Sequence, residues 1–183
     1  MAALPRLIGA REFANLCEPA GQRHELVGGL LVVEPLPTPD RAGVCRRLKR
    51  ALELHVRAHD LGGVFGRIGY LLGEQPDTVR GSDVSFVSKS RLEGLDLSRF
   101  LPGAPDLAVE VLSSSDWREE IHAKIADYLA AGARLCWVVD CDRRRVSVYR
   151  KLLFPTHLSA DDVLDGEDVI PEFSIQVEAL FED

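Results

Sequence analysis

No stretch of this 183-residue chain approaches the roughly 18–20 unbroken apolar residues of a membrane-spanning helix, so a helical membrane protein is excluded. Aromatic residues are scarce, at 7%, so the core must be mainly aliphatic. Cysteine is confined to Cys17, Cys45, Cys136 and Cys141, and none of their spacings matches a zinc knuckle. Cys136 sits in an apolar run and reads as a small core residue. No motif supports thiol-based hydrolysis. The opening MAALPRLIGAREFANLCEPAG lacks a signal-peptide core, because Pro5, Arg6, Arg11 and Glu12 interrupt its apolar residues. A cytoplasmic protein with free thiols is the expectation.

Excess positive charge is missing as well. Twenty-two basic residues against 29 acidic ones leave a net charge of −7, which argues against a broad nucleic-acid-binding surface. The charge is uneven, however. Asp161–Asp183 holds nine acidic residues and no basic one, whereas Arg41–Arg57 holds six Lys/Arg opposed only by Glu53. A local basic face could meet phosphates through Arg46, Arg47, Lys49 and Arg50, although a solvated helix face explains such residues equally well.

What is present is an ordinary globular composition, 46% hydrophobic and 28% charged, sufficient for one α/β domain over residues 1–183. Leu7–Leu16 reads as a short helix. His24–Glu34 reads as a strand pair turning at Gly28-Gly29. After Pro35, Pro37 and Pro39, Asp40 is the expected N-cap of a helix running to about His59, with Gly62-Gly63 ending it. Three strands are expected next, Val64–Leu72, Thr78–Ser88 and Asp106–Leu112, with Lys89–Pro105 as a polar loop. Ser113–Asp116 resembles a capping region for a helix that ends at Ala131, with Gly132 as its stop. Leu135–Asp140 and Arg145–Arg150 suggest a hairpin-like pair, and the tail carries a short strand near Phe173–Val177.

Two residues break this pattern. Glu110 interrupts Leu107–Leu112, a run whose other residues suit a strand covered on both faces. Period-two alternation puts Asp106, Ala108, Glu110 and Leu112 on one face and Leu107, Val109 and Val111 on the other. Either the acidic face is wet or Glu110 has a buried partner. In the following helix the apolar stripe is Trp117, Ile121, Ile125, Tyr128 and Leu129, and Lys124 falls inside it. Its ammonium either snorkels to solvent or reaches the neighbouring carboxylates. Asp83, in RGSDVSFV, is either a strand-end cap or a further carboxylate. Two carboxylates suit a hard cation such as Mg²⁺. A lysine beside them could orient water or stabilise phosphorane charge.

The segments PDLAVEVLSSSD, KIADYLAAG and RLCWVVDCDRRRVSVYR, with HELVGGLLVVEP and RGSDVSFV upstream and DVIPEFSIQVEALF downstream, resemble the Uma-two family of bacterial endonuclease-like proteins in the PD-(D/E)XK nuclease superfamily. The likeness spans about residues 22–181. It implies a restriction-endonuclease-like core (helix, three strands, helix, strand) with extra N-terminal strands and a C-terminal extension. It implies Asp83 as the first acid, Glu110 as the second, and Mg²⁺ (or Mn²⁺) as cofactor. The E-x-K lysine position holds Leu112, and Lys124 fits a lysine displaced onto the next helix. Glu25 matches a glutamate characteristic of the family and, with Asp106 of the Pro-Asp pair, is an accessory candidate. Ser82 stands where the family usually has proline, and Pro39-Asp40-Arg41-Ala42 stands where it often has histidine. The resemblance implies a nucleic-acid substrate, DNA first, and a homodimer able to cut two strands. A nuclease fold serving only as a binding or regulatory module is the alternative.

Overall fold

The computed structural model describes residues 5–16, 22–112 and 118–182. A short helix α1 (Ala10–Phe13) precedes the hairpin β1 (Gln22–Val27) and β2 (Leu30–Pro35), whose strands pair antiparallel from Gln22–Pro35 to Val27–Leu30. Gly28 and Gly29 turn the hairpin at φ 56° and 77°, backbone that suits glycine. Helix α2 (Pro39–Ala58) is capped by Thr38, whose hydroxyl accepts from the Arg41 N–H, not by Asp40. Pro39 has no N–H to lose and its fixed φ fits the first helical position, which moves the cap one residue earlier than Asp40.

Both strands expected before Lys89 divide in two. Val64–Leu72 becomes β3 (Gly62–Phe65) and β4 (Tyr70–Gly73); Thr78–Ser88 becomes β5 (Thr78–Arg80) and β6 (Val84–Ser88). The expected loop contains α3 (Lys89–Leu92) and β7 (Leu101–Pro102). Then come β8 (Leu107–Leu112), α4 (Arg118–Ala130), β9 (Leu135–Asp140), β10 (Arg145–Tyr149), β11 (Thr156–Leu158), β12 (Val163–Asp165) and β13 (Ser174–Gln176). The tail thus holds more strand than expected. The Ser113–Asp116 cap, Trp117 and Cys17 lie outside the described residues.

Among the described residues the strands form a six-stranded sheet, β11-β10-β9-β8-β6-β3, a five-stranded sheet, β2-β1-β5-β4-β7, and a β12-β13 ribbon. Strand β8 is interior, antiparallel to β6 and parallel to β9 across the α4 crossover. Its aliphatic face (Leu107, Val109, Val111) packs with Leu135, Trp137 and Val139 of β9 beneath Val44, Leu48, Leu52 and Val56 of α2. On the other face small Ala108, with Cys136 and Val138, meets Ile121, Ile125 and Tyr128 of α4. A wet edge for Glu110 is therefore excluded. Tyr70, Val87 and Leu101 form a third cluster that joins strands of both sheets.

Gly62 does not end α2; it opens β3 opposite Ser88. A Cβ there would meet the Val87 carbonyl at 2.2 Å and the Lys89 nitrogen at 2.8 Å. Gly62→Ala is expected to destabilise the protein by about 1–3 kcal/mol, the range for forced overpacking. Gly73→Ala is its control, because nothing lies within 4 Å of a Cβ at Gly73. Equal denaturation midpoints for the two variants would contradict this.

Candidate active site

The five-stranded sheet sits against the α4 side of the larger sheet, and five acids meet five cations where they join. Glu25 comes from β1, Glu34 from β2, Asp83 from the β5–β6 connection, Glu110 from β8 and Asp127 from α4. The cations are Arg23, Arg41, Arg67, Arg80 and Lys124. Such desolvated charges persist only when paired.

Lys124 is the hub. Its Nζ lies 2.8 Å from Glu34 Oε1, 3.1 Å from Glu25 Oε1 and 3.3 Å from Glu110 Oε2. The side chain is 3% exposed, so it does not snorkel. Burial opposes its charge, but Glu110, Glu25 and Glu34 outweigh burial and raise its pKa above the ordinary lysine value.

Glu110 is fully buried. Tyr128 donates to its Oε1 at 3.0 Å. Its Oε2 is ion-paired with Lys124 at 3.3 Å but accepts no hydrogen bond. Burial, reinforced by Asp83, Glu25 and Glu34 and opposed by Lys124, pushes the carboxyl up to about 7. Glu34 shows the opposite balance: burial alone would raise it, but Lys124 and Arg67 hold it down at about 2.

Asp83 stands at the corner where the chain leaves one sheet for the other. The β6–β8 ladder ends at the Val84–Val109 pair, and the Asp83 N–H donates to the Val109 carbonyl at 3.0 Å, which brings Asp83 against the strand that carries Glu110. Its Oδ2 accepts from Arg41 Nη2 at 2.8 Å and from the Val111 N–H at 2.9 Å. Its Oδ1 sees only longer cation approaches, Arg67 at 3.9 Å and Arg23 at 4.0 Å. Each acid thus has one oxygen held by hydrogen bonds and one that meets only cations. A cavity of about 180 Å³ is lined by Glu34, Arg41, Arg80, Glu110 and Lys124.

Of the sequence-derived candidates, Glu25, Asp83, Glu110 and Lys124 come together. Glu25 is the most heavily tied: it accepts from the Gly81 N–H at 2.9 Å and from Arg80 at 3.0 Å. Asp106 does not join them. It lies about 13 Å down the strand from Glu110, where it accepts from the Ser88 N–H at 2.7 Å and faces Arg91 at 3.3 Å. Arg41 of α2 pairs with Asp83, whereas the α2 basics singled out by the sequence, Arg46, Arg47, Lys49 and Arg50, are placed differently. Arg47 donates to the Leu180 carbonyl, Lys49 pairs with Glu53, and Arg46 and Arg50 are exposed. Glu34, Arg41, Arg67, Arg80 and Tyr128 were not singled out by the sequence. Among the described residues no group of three or more His, Cys, Asp or Glu could hold a metal. Burial pushes Cys45 up to about 12 and Cys141 up to about 11 and raises Cys136 as well, which leaves no activated thiol at neutral pH among the described residues.

The Uma2 family profile, described as "Putative restriction endonuclease", matches residues 10–178. The chain belongs to the Uma2 family. No protein of curated function matches it. A crystal structure from Anabaena variabilis ATCC 29413, of a protein described as "a putative nuclease belonging to DUF820", superposes with a TM-score of 0.81 at 21% identity, covering 95% of this chain and 97% of that one. That likeness establishes the shared fold, and membership of Uma2 places the chain at family level among nucleases. No helix among the described residues is long and apolar enough to cross a membrane.

Proposed function

We propose that this Uma2 chain is a Mg²⁺- or Mn²⁺-dependent endonuclease that hydrolyses phosphodiester bonds in DNA, with the cation held by Asp83 and Glu110. The observation that carries this reading is the pair of neighbouring carboxylates, each with one oxygen pinned by hydrogen bonds and one that accepts none. The donors are oxygen only, and a pair of carboxylates completed by water and phosphate oxygen suits Mg²⁺. When bound, the ion would supply Lewis acidity and a hydroxide nucleophile near neutral pH. Arg41 and the Val111 N–H fix Asp83, and Tyr128 fixes Glu110. The Lys124 ammonium lies beside the open Glu110 oxygen, placed to hold a water or to stabilise charge developing on the phosphate.

One observation favours a non-catalytic binding module instead. Five cations already balance the five acids, which leaves little net negative charge to draw a dication. Titration of Mg²⁺ and Mn²⁺ by calorimetry separates the readings. The expected result is binding to the parent and loss of binding in Asp83→Asn and Glu110→Gln. Mg²⁺-dependent nicking of supercoiled plasmid should fall by roughly 100-fold or more in both variants, the scale for losing one transition-state stabilising group. A parent that binds neither ion removes the basis of the nuclease reading.

A further inference from the structure

A second, larger cleft opens on the other side of the arginines. Its volume is about 440 Å³, within the range of small-ligand clefts, about 300–1,000 Å³. Its charged lining among the described residues is Arg23, Arg67 and Arg80, with no carboxylate. Arg80 lines this cleft and the smaller cavity beside Glu110 and Lys124 alike. The remaining wall includes His24 and the apolar side chains of Phe13, Phe100 and Ile68. Phe13 and Phe100 come from distant parts of the chain and meet with ring centroids 5.6 Å apart at 31°. Both are half-buried.

The three arginines are not equivalent. Arg80 is committed to Glu25 and Asp127 at 3.0 and 2.7 Å, and Arg67 to Glu34 and Glu25. Arg23 reaches the acids only through Asp83 Oδ1, at 4.0 Å, and keeps 27% of its side chain exposed. It is therefore the guanidinium best able to take an incoming anion while staying next to Asp83. A cationic floor with aromatic walls selects a ligand that is both anionic and planar. Guanidinium binds phosphate through paired N–H donors, and aromatic rings stack on any nucleobase.

We infer that this cleft is a nucleotide pocket, which takes one unpaired nucleotide of the substrate strand with its phosphate on Arg23 and its base against Phe13 and Phe100. A base inside a continuous duplex cannot enter such a pocket without being extruded, so single-stranded, gapped or flapped DNA is the favoured substrate. This rests on the nuclease reading for the identity of the strand, but the pocket chemistry stands without it.

The test is binding without cleavage. Fluorescence anisotropy in EDTA compares a labelled 12-nucleotide single strand with its duplex, for the parent, Arg23→Gln and Phe100→Ala. Thermal-shift titration with AMP runs alongside. The expected result is tighter binding of the single strand than of the duplex. Each variant should weaken single-strand binding about tenfold, the scale of one lost stacking contact, and should also lose the AMP shift. If Phe100→Ala fails to fold, Arg23→Gln carries the test alone. Equal binding of single strand and duplex by the parent overturns the proposal, as does unchanged binding in Arg23→Gln. AMP binding without single-strand preference assigns the pocket to free nucleotides and overturns the strand assignment. Mg²⁺-dependent nicking with no AMP or strand effect sinks the pocket and leaves the nuclease standing. An AMP shift lost in Arg23→Gln, in a protein that binds no metal, does the reverse.

Discussion

Replacing Lys124 by methionine is expected to lower the unfolding free energy by about 3–5 kcal/mol, as when one partner is removed from a buried ion network. For a chain of this size that is a fall in melting temperature of roughly 6–20 °C. Methionine keeps most of the apolar stem, so packing beside Ile121 and Ile125 changes little and the loss is electrostatic. It does not fall evenly on the three carboxylates that share the ammonium. Glu25 keeps Arg80, Arg67 and the Gly81 N–H, and Glu34 keeps Arg67. Glu110 keeps only the Tyr128 hydroxyl and must take up a proton or destabilise the core. Adding Glu110→Gln to Lys124→Met should therefore restore much of the stability, a coupling read from a double-mutant cycle in urea. Additive losses, or a single-variant effect under about 1 kcal/mol, would mean that Lys124 is not the cation that makes Glu110 tolerable. Nicking activity should not return in the double variant, because stability and charge at the phosphate are separate contributions of the same ammonium.

Lys124 and Glu110 were legible in the sequence for one reason: each is incongruous within a strong local pattern. An acid inside Leu107–Leu112 and a lysine inside the stripe of Ile121, Ile125 and Tyr128 both violate a periodicity that is otherwise obeyed. The structure resolves the two anomalies into a single contact. Glu34, Arg41, Arg67 and Arg80 carry no such signal. The arginines lie in polar or turn-rich stretches and Glu34 at the end of an apolar strand before Pro35, places where a charge is locally unexceptional, and only tertiary folding makes them partners. The split strands have a related cause. Val64–Leu72 and Thr78–Ser88 each keep a strand-like composition while passing from one sheet to another, and alternation along a chain does not report which neighbour the strand pairs with. Gly81, Ser82 and Asp83 form the second of these passages. It puts Arg80 in the smaller sheet and Asp83 beside the larger one, so the two stand on opposite sides of the joint that makes the site. Asp106 is the converse case: a literal Pro-Asp pair, read from the sequence as a strand-start residue, whose carboxylate holds the β6–α3 junction through the Ser88 N–H.

In EDTA the chain should lose stability as pH rises from about 4.5 to about 7. Glu110 titrates near 4.5 when unfolded and at about 7 when folded. Between those values the native state holds a proton that the unfolded state has released. The unfolded state therefore binds fewer protons, and the unfolding free energy falls with pH. At 1.36 kcal/mol per pKa unit the whole change is about 3 kcal/mol, complete once the folded group has ionised. Glu34 acts in the opposite sense at lower pH. Its folded value of about 2 against 4.5 unfolded gives stability that is present above pH 4.5 and lost as pH falls toward 2. The contributions of these two groups are both fully present only near pH 4.5–5. Glu110→Gln should remove the falling limb, so that its melting temperature overtakes that of the parent between pH 5 and 8. Parallel pH profiles for parent and variant over that interval would refute the buried-acid account. With Mg²⁺ in place of EDTA the parent should recover stability at pH 8 and gain little at pH 5, because a cation on the open Glu110 oxygen favours the ionised form that burial opposes. Glu110→Gln should show no such recovery at either pH.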